Sequence, residues 1–343
     1  MTKQPLLDQL DVLFEKAHKS ELGFTIGSLS HYAHDENYYT TPLRTTNKIS
    51  YMGAVVKNVE TAVEIARLID GKVEYLFVDS EKKIQKENYG PNDAGNIEKA
   101  ISEVLQESKL MSYKGNDLTV HAADSLIRVL TPNLTGCKIA IVGVSNIGMK
   151  LGLSLLERGN NVCLYSRNEF HAKSVVDLLN KVKMRNVLVK CSYESRLEAA
   201  IFNAKLIISC SSEKSIIGIQ EIDQLELSSS GGPILIDVGK GGFNEEILES
   251  NHIIHRVDVG DQLSREIDNL LEVEKQCSRI VSRRVSPDIC LVRRGIVGKK
   301  GDYVVDNPGD PKQVLGECDG DGNLIHVDAQ KSKKIIELCS VII

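Results

Sequence analysis

Apolar positions along this chain follow two periods, and the changes of period mark its parts. Leu6, Leu7, Leu10, Leu13, Phe14 and Ala17 keep helical spacing behind Pro5 and predict an amphipathic helix. Gly23 to Ser30 reads as a strand, and Ser30 to Asn47 as a polar, aromatic loop. Ile49 to Val56, Asn58 to Ile69 and Val73 to Asp79 read as strand, helix and strand, with Asn58 capping the helix. That order predicts a small parallel sheet with its own core. Residues 80–95 are charged and rich in turn formers, and Ala94 to Leu110 has helical character. Tyr113 to Val120 suggests a hairpin turning on Lys114-Gly115-Asn116-Asp117, and Ala123 to Leu130 a helix that leads onward.

From Lys138 the alternation becomes regular. An apolar run, Ile139 to Val142, meets the turn Gly143-Val144-Ser145-Asn146-Ile147-Gly148; a helix follows to Glu157, and a second strand covers Val162 to Ser166. Further alternation carries the pattern through helix Glu169 to Val182, strand Val187 to Cys191, helix Glu194 to Phe202 and strand Leu206 to Cys210. Strand Ile234 to Val238, helix Asn244 to Glu249 and strand Ile253 to Val257 complete it. A helix from Asp261 to about Arg284 is expected to return toward the first domain. Beyond Ser286, short apolar runs at Ile289 to Val292, Tyr303 to Val305 and Leu324 to Val327 alternate with Gly, Pro and Asp turns, and a helix begins at Asp328. Asp319 to Asn323 has the look of a calcium loop but lacks the downstream glutamate, so a hairpin turn is expected. The predicted parts are residues 1–122, an N-terminal α/β substrate domain; 123–260, a nucleotide-binding domain; and 261–343, a returning helix with a β-ribbon tail.

The turn after the first strand of the second part carries the chemistry. Gly143 lets the chain leave the strand sharply, Gly148 admits close packing, and the helix from Asn146 and Ile147 aims its free amide groups and positive dipole end at a pyrophosphate. Ser145 stands where the dinucleotide fingerprint has its middle glycine and offers a hydroxyl donor. The second strand ends in Ser166-Arg167-Asn168 rather than in a carboxylate, which points to NADP, with Arg167 on the 2′-phosphate and Ser166 and Asn168 assisting. Cys210 and Gly239, at the ends of later strands, are further cofactor candidates.

Composition narrows the setting. The net charge of −5 gives no general pull toward nucleic acid or an anionic membrane, and no aromatic-basic module is present. No apolar run approaches the ~20 residues of a membrane helix. The eight cysteines are scattered without a C-x-x-C pair, as expected of thiols in a reducing cytoplasm rather than a disulfide frame or zinc site. His31 and His34, with Asp35 and Glu36, have metal-ligand types, but no fuller set surrounds them and no metal is expected. Arg293, Arg294, Lys299 and Lys300 read as a solvated basic patch rather than a phosphate site, with an anionic substrate contact as the alternative.

The order of parts resembles shikimate dehydrogenase and the methylene-tetrahydrofolate and methylene-tetrahydromethanopterin dehydrogenases. The best stretch is Asn116 to Lys181, where GVSNIGMKLGLSLLERGNNVCLYSRN is similar to the methanopterin enzymes. The resemblance implies a catalytic lysine after an N-domain strand, matched by Lys57, and an aspartate opening the linking helix, matched by Asp124 in His121-Ala122-Ala123-Asp124. It also implies that Ser28 and Ser30 contact substrate, and it matches Asp237-Val238-Gly239 to a run of the folate enzymes. His121 is an alternative acid or base, and Lys240 a contact for an anionic substrate group.

The expectation is therefore an α/β chain: a doubly wound Rossmann domain, a smaller N-terminal α/β domain and a C-terminal β-rich extension. Its expected activity is NADP-dependent hydride transfer on a small polar acid or amino-acid-like molecule held between the domains. The alternatives are a methylene-tetrahydropterin dehydrogenase and a non-catalytic nucleotide sensor or scaffold. A small-molecule substrate is the expected partner, without nucleic acid or membrane; a homodimer is compatible with the sequence.

Overall fold

A computed structural model describes residues 8, 11, 12, 15, 21–29, 36–84, 97–226, 232–239, 241–277 and 280–341. Ser30, His31, His34 and Lys240 lie outside the described residues, as does most of the expected N-terminal helix. The chain divides into two compact units, Met1–Asp268 and Asn269–Ile343. It is an α/β protein with two largely parallel sheets in the first unit and a β-rich second unit.

The N-terminal sheet has the order β2-β3-β1-β4-β5, from β1 (Glu21–Ser28), β2 (Tyr38–Thr45), β3 (Ile49–Val56), β4 (Tyr75–Asp79) and β5 (Lys109–Tyr113). One face packs Phe24, Ile26, Met52, Ala54, Leu76 and Val78 against α1 (Val59–Ile69) and α2 (Ile97–Ser102). Asn58 caps α1 by accepting from Thr61 N at 2.8 Å, as its sequence position implied. Strand β2 corrects the expected loop at Ser30 to Asn47. It is an antiparallel edge with a bulge between Thr41 and Arg44, and an edge tolerates Pro42 where a central strand would not. Residues 109 and 110, expected to end a helix, open β5 instead.

The expected hairpin at Tyr113 to Val120 is also corrected. Helix α3 runs over Gly115–Leu130, and its cap Lys114 makes no side-chain capping bond. Two carboxylates far upstream serve instead: Asp79 Oδ1 accepts from Gly115 N at 3.2 Å, and Glu81 Oε2 from Asn116 N at 2.7 Å. Negative groups suit the free amides and positive dipole end there. No local pattern reveals a cap that arrives from another strand.

The second sheet has the order β11-β10-β9-β6-β7-β8. Its strands are β6 (Lys138–Val142), β7 (Asn161–Tyr165), β8 (Cys191–Tyr193), β9 (Leu206–Ser209), β10 (Ile234–Asp237) and β11 (Ile254–Arg256), all parallel. Counted from β6, this is the 3-2-1-4-5-6 order of doubly wound dinucleotide folds, with the switch point between β6 and β9. Both faces are covered, which explains the unbroken apolar runs. Ile139 and Ile141 face α3, α4 (Asn146–Glu157) and α5 (Glu169–Val182). Ala140 and Val142 face α6 (Leu197–Ile201), α7 (Ile219–Glu226) and α8 (Glu245–Glu249). Each such buried isoleucine or valine side chain contributes about 1.5–3 kcal/mol. The expected elements at Val187, Glu194 and Ile253 are present but shorter or shifted by a few residues.

Helix α9 (Gly260–Cys277) ends short of the expected Arg284, and its first half meets the N-terminal sheet. Tyr51 and Ser264 hydroxyls lie 2.7 Å apart, Thr46 Oγ1 donates to Asp268 Oδ1 at 2.6 Å, and Arg44 pairs with Asp261 at 3.1 Å. The second unit is a sheet of order β12-β13-β14-β15-β16, from β12 (Ser282–Ser286), β13 (Ile289–Arg293), β14 (Tyr303–Val305), β15 (Val314–Cys318) and β16 (Leu324–Ile325). Helix α10 (Ala329–Val341) covers one face through Ile335 and Cys339. Asp319 to Asn323 is the turn of the β15–β16 hairpin, closed on Asp319 itself.

Candidate functional site

At the switch point a cleft of about 230 Å³ is lined by Gly143, Val144, Ser145, Tyr165, Ser166, Arg167, Cys210, Ser211, Ser212 and Glu213, among others. Gly143 holds φ at 101°, and a Cβ there would stand 2.5 Å from Ser211 N. At Gly148 a Cβ would overlap the Gly143 carbonyl oxygen, and at Gly239 the Ser211 carbonyl oxygen. All three positions thus require glycine for close backbone approach, the first also for its left-handed conformation.

Ser145 caps α4. Its Oγ accepts from Gly148 N at 3.4 Å and donates to Cys210 O at 3.3 Å. The hydroxyl thereby ties the β6 turn to the end of β9. Asn146 and Ile147 open the helix, with Asn146 Oδ1 3.5 Å from Asn116 Nδ2 at the head of α3. Asp117 and Lys150 join the same two helices by an ion pair.

Beyond β7, Asn168 caps α5 by accepting from His171 N at 3.0 Å, and Ser166 Oγ accepts from Asn168 N at 3.3 Å. Both side chains therefore shape the turn. Arg167 stands out from it, 74% exposed, and pairs with Glu213 from the loop after β9. His171, which the sequence reading passed over, donates from Nε2 to Val144 O at 3.0 Å and steadies the glycine turn from α5. Cys210 is buried at the cleft floor. Burial, and then the charge of Asp237, push its thiol up to about 12, so it is a neutral thiol there. Asp237 Oδ2 holds the loop after β10 by accepting from Gly241 N at 2.6 Å.

The residues matched by resemblance are less gathered. Lys57 follows β3 and is exposed, its backbone N donating to Asn37 O at 2.9 Å. His121 is exposed on α3. Asp124 does not open the linking helix, because α3 begins nine residues earlier, at Gly115. Its carboxylate pairs with Arg128 at 3.0 Å and Arg158 at 3.4 Å and accepts from Ser154 at 3.2 Å, an arrangement that joins α3 to α4. Among the described residues no hydrogen bond or ion pair joins Lys57, His121 and Asp124 to one another. Ser28, at the carboxyl end of β1, is 3% exposed and its Oγ has no hydrogen-bond partner.

A charged group missed by sequence reading occupies the carboxyl edge of the N-terminal sheet. Lys83 Nζ lies 2.6 Å from Asp79 Oδ2 and 2.9 Å from Glu81 Oε2. Asp79 is 2% exposed, and burial raises its pKa against the opposing pull of Lys83. Tyr113 pairs with Asp79 in the sheet register, and its hydroxyl would lie 3.2 Å from a Cβ on Gly27. Burial, then Asp79, raise the phenol pKa, so Tyr113 is a protonated donor. Glu81 reaches α3 through Asn116 N, and Asn116 in turn reaches Asn146 of the glycine turn. The available signal was positional: D-S-E-K-K follows an apolar strand at the ligand-binding edge of a parallel sheet.

No protein family and no curated protein matches the sequence. Solved structures similar to it include the dipicolinate synthase A chain of Bacillus subtilis, at 10% identity over 75% of this chain and 97% of that one, with TM-score 0.36. L-tryptophan dehydrogenase of Nostoc punctiforme is 11% identical over 75% of this chain and 82% of that one, with TM-score 0.38. Ornithine carbamoyltransferase of Pyrococcus furiosus is 10% identical over 78% of this chain and 89% of that one, with TM-score 0.40. Likeness at this level carries nothing about activity.

Proposed function

We propose that the protein is an NADP-dependent oxidoreductase acting on a small polar acid or amino-acid-like substrate. The observation that carries the reading is the cleft at the β6–β9 switch point, lined by the Gly143-Val144-Ser145 turn, with Arg167 at the end of β7. The residues present suit such a cofactor: the glycines let the β6 turn and the loops after β9 and β10 approach closely, the N-cap of α4, Ser145, lines the cleft, and Arg167 is a planar donor for a phosphate. When bound, NADP(H) supplies or accepts the hydride.

The rest falls to this chain's own groups. Arg167 exchanges Glu213 for the 2′-phosphate, and the neutral Cys210 thiol keeps charge off the cleft floor. Tyr113 donates a hydrogen bond to the substrate, with the Lys83–Asp79 pair holding the proton balance beside it. Lys57 and His121 are the competing candidates for proton handling. A second reading, a nucleotide-binding sensor without catalysis, draws support from the structural commitments of Asp124 and Asp79.

The test is fluorescence titration of NADPH and NADH on the wild type and Arg167→Ala, followed by turnover assays with keto acids, imines and methylene-pterins. A preference for NADPH that is lost in Arg167→Ala supports the reading, and failure of both nucleotides to bind removes it. Turnover lost in Tyr113→Phe or Lys83→Met but kept in Lys57→Ala assigns proton handling to the β4–β5 edge. Binding without turnover on any of these classes favours the sensor.

A further inference from the structure

In the basic run of the C-terminal unit, Arg294, Lys299 and Lys300 are exposed as the sequence suggests, but Arg293 is not. Arg293, the last residue of β13, is 9% exposed, and its Nε and Nη1 are buried without a hydrogen-bond partner. Its main chain is satisfied, since Arg293 N donates to Val281 O at 2.9 Å and Ile296 N donates to Arg293 O at 3.1 Å. Only the guanidinium is left over.

The register shows where it points. Arg293 pairs with Val305 and lies two residues beyond Leu291, and both apolar residues pack with Ile335 and Cys339 of α10. Residues two apart share a face, so Arg293 enters the face covered by α10. Arg283 pairs with Leu291 from β12 and shares that face; it is half-buried, and its Nη1 donates to Gly309 O at 3.2 Å. The acid next to Val305, Asp306, uses one carboxylate oxygen for Lys312 N at 3.0 Å and Gln313 N at 3.1 Å. Among the described residues no carboxylate pairs with Arg283 or Arg293.

A buried guanidinium cannot escape by losing its proton, and leaving it uncompensated costs several kcal/mol. A chain that retains one has a use for a counter-charge at that spot. We propose that the C-terminal unit holds an oxyanion site, in which Arg293, assisted by Arg283, binds a phosphate- or carboxylate-type group. This inference does not depend on the nucleotide reading, because the site belongs to a different unit and a different sheet.

The test uses the full chain, with inorganic phosphate and acetate as probes, in calorimetric titrations of the wild type, Arg293→Met, Arg293→Lys and Arg167→Ala. One saturable site for phosphate, acetate or both is expected, and it is kept in Arg167→Ala, which separates it from the nucleotide cleft. Arg293→Met should weaken it about thirtyfold or more, and Arg293→Lys less. Which probe binds identifies the ligand's class. A readout that leaves Arg293 in place is the set of Nε–H resonances in an arginine-labelled Arg167→Ala protein, one of which should move on adding the probe that binds. Absence of saturable binding to the wild type, binding undiminished in a folded Arg293→Met, or no moving resonance overturns the proposal.

Discussion

Two arginines at strand ends carry opposite settings. Arg167, after β7, is 74% exposed and paired with Glu213; Arg293, ending β13, is 9% exposed and unpaired. The exposed pair is worth little, because water already solvates both charges and screens their attraction. The Nε and Nη1 of the buried guanidinium have lost their water and gained no hydrogen bond in exchange. The energetic meaning of an arginine is thus set by its desolvation, which residue type and strand position do not reveal.

The largest expected effect tests the buried member. Arg293→Met, measured by chemical unfolding in buffer free of oxyanions, should leave the protein as stable as the wild type or more stable by about 1–4 kcal/mol, because an unpaired charge gives way to an apolar side chain. A marked loss of stability there would show that the guanidinium is already compensated and would collapse the contrast. Arg167→Ala sharpens the other side: stability should change by less than about 1 kcal/mol, while NADPH affinity falls about tenfold or more with NADH affinity little changed.

Glu213→Gln should act in the opposite sense and more weakly. With its partner neutralised, Arg167 is free for a phosphate, and NADPH should bind about two- to fivefold more tightly. An unchanged affinity would mean that the ion pair does not oppose the cofactor. Among the thiols, Cys210 is buried and pushed up to about 12, whereas Cys277 is exposed. Iodoacetamide at pH 8, followed by mass spectrometry, should modify Cys277 and spare Cys210 in the native protein.

The smallest effect concerns Asp79. Burial raises its pKa, so the folded chain binds a proton where the unfolded chain does not, and the stability gained from protonation is lost as pH rises. The wild type should therefore gain stability relative to Asp79→Asn as pH falls from neutral toward the ordinary carboxylate range. An opposite slope in urea unfolding would mean that Lys83 outweighs burial.

Much of the fold was legible before the structure. The strands of the second sheet announced themselves as apolar runs, and Gly143 and Gly148 as a turn, because burial on both faces and the need for a missing Cβ leave marks at the residue concerned. The cleft at the β6–β9 switch point followed from that local record. The linking helix did not: Gly115 and Asn116 look like a turn until Asp79 and Glu81 reach them from β4. Asp124 was placed at a helix start for the same reason, and its partners Arg158 and Ser154 come from another helix.

By itself the sequence determined the alternation of strands and helices, the glycine turn and the basic end of β7, since periodicity, backbone freedom and residue chemistry are properties of short segments. Only the tertiary structure decided that Glu213 meets Arg167 across a gap of 46 residues, that Asp79 and Glu81 cap a helix with Lys83 paired to both, and that Arg293 is buried. Those outcomes depend on which distant groups displace water from a charge, and no stretch of chain carries that information alone.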